Sequence, residues 1–139
     1  AAFFDGSLGG ISTLLLVLAV SVIVHELLHA LGFWLVGGVP WRRIKFGFSW
    51  QGLAPYAHCR DPLKTNAYRI SVLLPGLFLG ILPGLAGVLL EQPLLLRWAT
   101  LMLLAAGGDA AVLWAVRQVP SRARVLDHPS QVGCRVLAE

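Results

Sequence analysis

The sequence predicts an all-α membrane protein: three transmembrane helices, with a short β-hairpin at the membrane surface between the first and second. Three observations lead there. The 139 residues are 57% hydrophobic with a mean hydropathy of +0.74, above the roughly 45–50% apolar content of soluble domains. The apolar residues gather into three runs, at about 8–36, 68–90 and 93–116. At 1.5 Å per residue each can cross a hydrocarbon core of about 30 Å. Between the first two runs, Ile44, Phe46, Phe48 and Trp50 alternate with Lys45, Gly47 and Ser49, the period of a half-exposed strand. The length suits one domain over 1–139, and no internal repeat or low-complexity segment divides it.

The first run lacks a basic segment before it and is far longer than the 7–15 residues of a signal-peptide core, so it reads as a span of the mature chain. A start at Ala1-Ala2 suggests that the native N-terminus is trimmed or replaced. Gly37-Gly38-Val39-Pro40 stops the helix. The polar-leaning section from Trp41 to about Asn66 holds the hairpin, about 43–59. Its turn falls at Gln51-Gly52 and its return strand runs from Leu53 to Cys59, where Pro55 fits an edge or a bulge. The other reading of this section is an irregular interfacial loop anchored by Trp41 and Trp50. In the second run Pro75 and Pro83 bend the helix without ending it, and Gly76, Gly80 and Gly84 at four-residue spacing admit a close neighbour. Glu91-Gln92-Pro93 makes a short turn, with Pro93 suited to the first helical position of the third run. Past Arg117 a polar tail, 117–139, lies outside the bilayer.

The net charge of +4 does not point to nucleic acid, because the basic residues flank apolar segments and form no basic helix. They read as topology signals for a chain whose partner is the lipid bilayer. Arg42, Arg43, Lys45, Arg60, Lys64 and Arg69 lie between the first two spans, Arg117, Arg122, Arg124 and Arg135 lie in the tail, and Arg97 alone lies on the other side. The N-terminus is therefore expected outside and the hairpin and C-terminus in the cytoplasm, in a bacterial plasma membrane. Cys59 and Cys134 form no CxxC pair, so neither a disulfide framework nor a zinc ribbon is indicated, and a single bridge between them stays open.

Within the first run sits His25-Glu26-Leu27-Leu28-His29, and from Gly6 to Trp41 Glu26 is the only formally charged residue. A charge at mid-membrane costs about 2.5–3.5 kcal/mol on insertion scales, so something must offset it. Four residues apart on a helix, His25 and His29 share a face and can bind one Zn²⁺, with Glu26 placed as general base. The plainer reading is a pair of histidines hydrogen-bonded to neighbouring helices. Two histidines leave zinc short of one protein ligand. Asp109 is the candidate, since His29 and Asp109 lie at matched depths of about 10 and 12 Å from the same end of their spans. Asp109 as a cap for the half-helix after Gly108 is the alternative. His58, Cys59 and Asp61 are rival ligands if the hairpin folds back into the bundle, whereas Glu91 sits at the opposite face and His128 reads as a surface histidine.

The His-Glu-x-x-His motif in a membrane helix, the surface β segment after it and an Asp in a Gly-rich setting two helices on resemble the site-2 protease group of intramembrane zinc metalloproteases. Asp127-His128-Pro129-Ser130-Gln131-Val132-Gly133-Cys134 brings the chain nearer to a family of small zincin-type membrane proteins. Site-2 proteases usually carry Leu-Asp-Gly preceded by an Asn and prolines, where this chain has Gly107-Gly108-Asp109-Ala110. The resemblance covers nearly the whole chain. It implies a three-helix catalytic core, zinc at His25, His29 and Asp109, and cleavage of a membrane-protein or membrane-bound peptide substrate near the cytoplasmic face. Metal transport or sensing, in a homo-oligomer allowed by the Gly76, Gly80, Gly84 face, and a catalytically silent zinc-binding subunit are the competing functions.

Overall fold

In the computed structural model, residues 8–50, 54–128 and 133–137 are described. Helix α1 (Leu8–Leu35) has neither glycine nor proline from Ile11 to Ala30 and is apolar all round. Its burial is inverted relative to a soluble helix. Ser21, His25 and His29, at four-residue spacing on one face, are buried, while Leu15, Leu16, Val20 and Ile23 are exposed. Such an outward apolar surface suits a lipid surround. The helix stops where the glycines are: Gly38 takes φ 68°, and the amides of Val36 and Gly37 both bond to the Gly32 carbonyl.

After a 3₁₀ turn over Trp41–Arg43, strands β1 (Ile44–Ser49) and β2 (Ala54–Cys59) pair antiparallel, from Ile44 opposite Cys59 to Ser49 opposite Ala54. This is the predicted hairpin; its turn at Gln51-Gly52, with Leu53, lies outside the described residues. A second, three-stranded sheet was not predicted. Strand β3 (Leu63–Lys64) pairs antiparallel with β4 (Arg124–Asp127), which pairs antiparallel with β5 (Cys134–Val136). The tail read as a polar extension thus folds back beside the hairpin. Residues 129–132 of its Asp127-to-Cys134 motif lie outside the described residues.

Helix α2 (Thr65–Pro75) passes through a π-helical turn (Gly76–Ile81) into α3 (Leu82–Leu89), one apolar span of 25 residues. Pro75 has no amide to donate, and the wider turn follows it, with the Leu82 amide reaching the Leu77 carbonyl five residues back. The span starts three residues earlier than the expected Tyr68. The reason is the tail: the Thr65 amide and hydroxyl both donate to the Ala123 carbonyl, and the Asn66 amide donates to Ser121, satisfying donors that a helix start otherwise leaves unpaired.

The third expected span, 93–116, is not one helix. α4 (Pro93–Ala105) and α5 (Gly107–Ala115) meet at a 43° bend at Ala106, where the Gly107-Gly108 pair gives the helix least support. Two helices are therefore long and apolar enough to cross a membrane, and the broken pair supplies a third candidate span. The glycine stripe packs against α4 within the chain: a Cβ on Gly80 meets Leu103, on Gly84 it lies 3.7 Å from Ala99 Cβ, and on Gly76 3.6 Å from Ala106 Cβ.

Helix α1 crosses α2 where Gly32 meets Ser71. A Cβ on Gly32 would stand 2.6 Å from Ser71 Cα, a backbone atom that cannot give way. Gly32→Leu is expected to lower stability by about 1–3 kcal/mol, as overpacking does, read as a fall in the thermal unfolding midpoint in detergent; an unchanged midpoint would show that the two helices do not approach this closely.

Candidate metal centre

The helical spacing of α1 turns His25 and His29 toward the bundle, their rings edge to face with centroids 5.0 Å apart. Asp109, in the first turn of α5, does not cap its own helix. Its Oδ2 stands 3.0 Å from His25 Nε2 and its Oδ1 3.3 Å from His29 Nε2. The break at Ala106 brings this about, because α5 leaves the line of α4 and packs on α2 with Asp109 reaching α1. The three side chains form a group whose ligand atoms all lie within 4.8 Å of one another.

The residues fit a zinc ion on three counts. Asp109 Oδ2 is buried and makes no hydrogen bond, although a histidine nitrogen lies beside it, an expensive state for a carboxylate oxygen unless a cation takes it up. His29 Nδ1 lies 3.1 Å from the Ser71 carbonyl, which can only accept, so Nδ1 carries the proton and Nε2 is left as a bare ligand nitrogen. Two imidazoles and one carboxylate are the donor set of a catalytic zinc that keeps a fourth position open.

Glu26, a residue along from His25, is turned to the other side of the site. Its Oε2 accepts the Ala57 amide of β2 at 2.7 Å, so the hairpin returns onto α1 and holds the carboxylate. Glu26, His29 and Asp109 line a cavity of about 480 Å³, which continues past β2 to His58, Tyr68 and Asp127.

The rival ligands do not join the group. Asp61 pairs with Arg43, with Oδ1 2.8 Å from the Arg43 Nη2. Cys59 is buried and donates its thiol to the Asp61 carbonyl at 3.3 Å, away from the group of His25, His29 and Asp109, and burial pushes that thiol up to about 11. His58 Nδ1 instead lies 2.9 Å from Asp127 Oδ2, which also accepts the Cys59 amide at 3.1 Å, while Asp127 Oδ1 accepts the Tyr68 hydroxyl at 3.3 Å. Burial pushes the Asp127 carboxyl above its ordinary value, outweighing those three donors. His128, read as a surface histidine, lines the same cavity. Both cysteines are free thiols, so the bridge left open between them is not formed.

Sequence reasoning missed the supports of the site. The Ala57 amide and Ser71 carbonyl are backbone groups that no residue type announces. Tyr68 was taken as the edge of a span, and Asp127 was noted only within a motif of resemblance.

His-Glu-x-x-His on one helix with an Asp converging from another is the donor arrangement that a zincin-type peptidase uses. Residues 18–124 match the family described as "Putative zincin peptidase", and the chain belongs to that family. The match spans His25, Glu26, His29, His58 and Asp109 and ends three residues before Asp127. No curated protein and no solved structure matches the chain.

Elemental analysis of the purified protein is expected to give about one zinc per chain. His25→Ala and Asp109→Ala are each expected to abolish it, whereas Asp61→Asn and Cys59→Ala leave it unchanged. Retention of full zinc by Asp109→Ala would remove Asp109 from the ligand set.

Proposed function

We propose that this protein is a zinc-dependent intramembrane endopeptidase of site-2 protease type, hydrolysing a peptide bond in or beside a membrane helix of a protein substrate. The observation that carries the reading is the convergence of His25, His29 and Asp109, with Glu26, His29 and Asp109 lining one cavity, within helices apolar enough to cross a bilayer. The basic residues gathered at the end bearing the hairpin and tail support a cytoplasmic position for that end.

His25, His29 and Asp109 would hold a Zn²⁺, which when bound would supply Lewis acidity to a water and to the scissile carbonyl. Glu26 takes the proton of the attacking water and passes it to the leaving nitrogen. The Ala57 amide holds Oε2 and leaves Oε1, which has no partner among the described residues, for the proton. The asymmetry fixes which oxygen works.

A helical substrate hides its amides in its own hydrogen bonds and must be unwound before attack. The hairpin offers a place for the unwound segment as an added strand, and the two edges are not equivalent. On β2 the Ala57 and Cys59 amides are taken by Glu26 and Asp127, and Pro55 has none. Because Ala57 donates away from β1, its partner Phe46 also points its amide away from β2, and so does Phe48 opposite Pro55. Among the described residues no strand pairs with that outer edge of β1. The substrate strand adds there, beside Phe48 and Ser49 of the cavity wall.

Glu26→Gln is expected to lower cleavage of membrane-peptide substrates in liposomes by about 10²–10⁴-fold while zinc content stays at the parental level. Undiminished cleavage would overturn the peptidase reading, and loss of metal flux in place of cleavage would favour transport. Proline at Phe48 removes an outward amide without touching the β1–β2 ladder, so it is expected to depress cleavage with zinc retained; equal cleavage by Phe48→Pro would dismiss strand addition.

A further inference from the structure

Asp109 rides on a helix that the bundle holds lightly at the end where Asp109 sits. α5 has nine residues, starts at the bend of the third span and buries only Val112 within its length. A Cβ on Gly107 or Gly108 would find nothing within 4 Å beyond the helix itself among the described residues, so no packing at these two positions fixes the direction in which α5 leaves Ala106. Two glycines add backbone freedom at the same place. A metal ligand has to be placed to within about 0.2 Å. The contacts of Asp109 with His25 and His29 are the ones a bound ion would take over, so the helix needs a further hold.

Arg69 supplies one. From α2 its Nη2 donates to the Val116 carbonyl, at the C-terminal end of α5, and to the Val119 carbonyl at 2.6 Å, while its Nη1 donates to Ser121 Oγ at 3.4 Å. The last carbonyls of a helix have no partner within it and carry partial negative charge, which favours a guanidinium there. Arg117 also caps this end, donating from Nη1 to the Trp114 carbonyl at 2.7 Å with its guanidinium over the Trp114 ring. Arg117, however, belongs to the same stretch of chain and moves with α5, whereas Arg69 ties α5 to a neighbouring helix. Two residues further along α2, the Ser71 carbonyl takes His29 Nδ1. One turn of α2 thus holds a histidine of the metal group and the helix that bears its carboxylate.

The tie is far from the bend and Asp109 is near it. By helix rise Val116 lies about 15 Å from Ala106 and Asp109 about 4.5 Å. A swing of α5 limited to about 0.6 Å at Val116 is therefore limited to about 0.2 Å at Asp109. We propose that Arg69 is a positioning residue of the metal centre: by pinning the C-terminal end of α5 to α2, it sets the place of Asp109 opposite His25 and His29. This inference rests on the reading of those three residues as metal ligands, and not on the peptide cleavage assigned to them.

The test is zinc affinity in detergent, read by competition with a chelating dye, together with the visible absorption of cobalt-loaded protein as a record of the ligand set. Arg69→Gln is expected to weaken zinc by about 10–100-fold, as loss of a group that orients a ligand does, and to move the cobalt spectrum toward that of Asp109→Ala. Arg69→Lys, which keeps the charge without the planar fork, recovers part of both, and it carries the test should Arg69→Gln fail to fold. Arg117→Gln removes a cap from the same helix end and is expected to leave zinc affinity within about twofold and the spectrum unchanged. Parental affinity and spectrum in Arg69→Gln, or in Arg69→Lys where only that variant folds, overturn the assignment. So does an equal loss in Arg117→Gln, which makes the effect one of helix capping alone. A parent that takes up neither metal removes the metal centre itself, and the role of Arg69 with it. A parent that binds zinc, loses it in Arg69→Gln and cleaves no peptide supports the role of Arg69 and counts against the peptidase reading.

Discussion

Everything in this molecule answers to the cost of placing His25, Glu26, His29 and Asp109 among apolar helices. An ionisable group at mid-membrane is unfavourable by a few kcal/mol when alone, and four of them in one bundle cannot persist without mutual contacts. Asp109 bridges the two histidines, the Ser71 carbonyl takes the His29 N–H, and the Ala57 amide holds Glu26. What remains unsatisfied is Asp109 Oδ2, and that remainder is where a cation belongs.

Each of those contacts needs a local irregularity in the fold. Ser71 can reach His29 because Gly32, one turn further on, lets α2 come against α1 with no side chain between. Asp109 can reach both histidines because the third span breaks at Ala106. Ala57 can donate to Glu26 because Pro55 and Ala57 lie on the edge of the hairpin that β1 does not use. Regular helices and strands spend their backbone groups on themselves, so a site that draws on backbone donors and acceptors has to sit at edges, bends and close crossings.

The parts legible in the sequence are those for which position along the chain translates directly into position in space. A helix converts residue number into depth and angle, so the shared face of His25 and His29 and the matched depth of Asp109 followed from counting. The period-2 run from Ile44 to Trp50 likewise located the hairpin. The break at Ala106 was harder, since Gly107-Gly108 permits a bend without dictating one. The β3–β4–β5 sheet was not legible at all: its strands have two to four residues, too few to show a period. The His58–Asp127 contact joins residues 69 positions apart, and no spacing rule reaches across two spans.

That long-range contact bears on how the cavity beside His25, His29 and Asp109 is kept accessible yet ordered. The apolar helical end of the molecule is held by helix packing, with Gly80 and Gly84 against α4 and Trp98 donating to Ser21 at 3.0 Å. The end with the sheets has a core closer to that of a soluble domain, in which Phe33, Ile44, Leu63, Tyr68 and Val125 are buried together. The cavity lies where these two regimes meet. Glu26 and the histidines belong to the first, His58 and Asp127 to the second, and β2 joins them by giving one amide to Glu26 and the next outward amide to Asp127. A displacement of the hairpin would therefore disturb both carboxylates at once. Coupling them through a single strand keeps the two halves of the cavity in register.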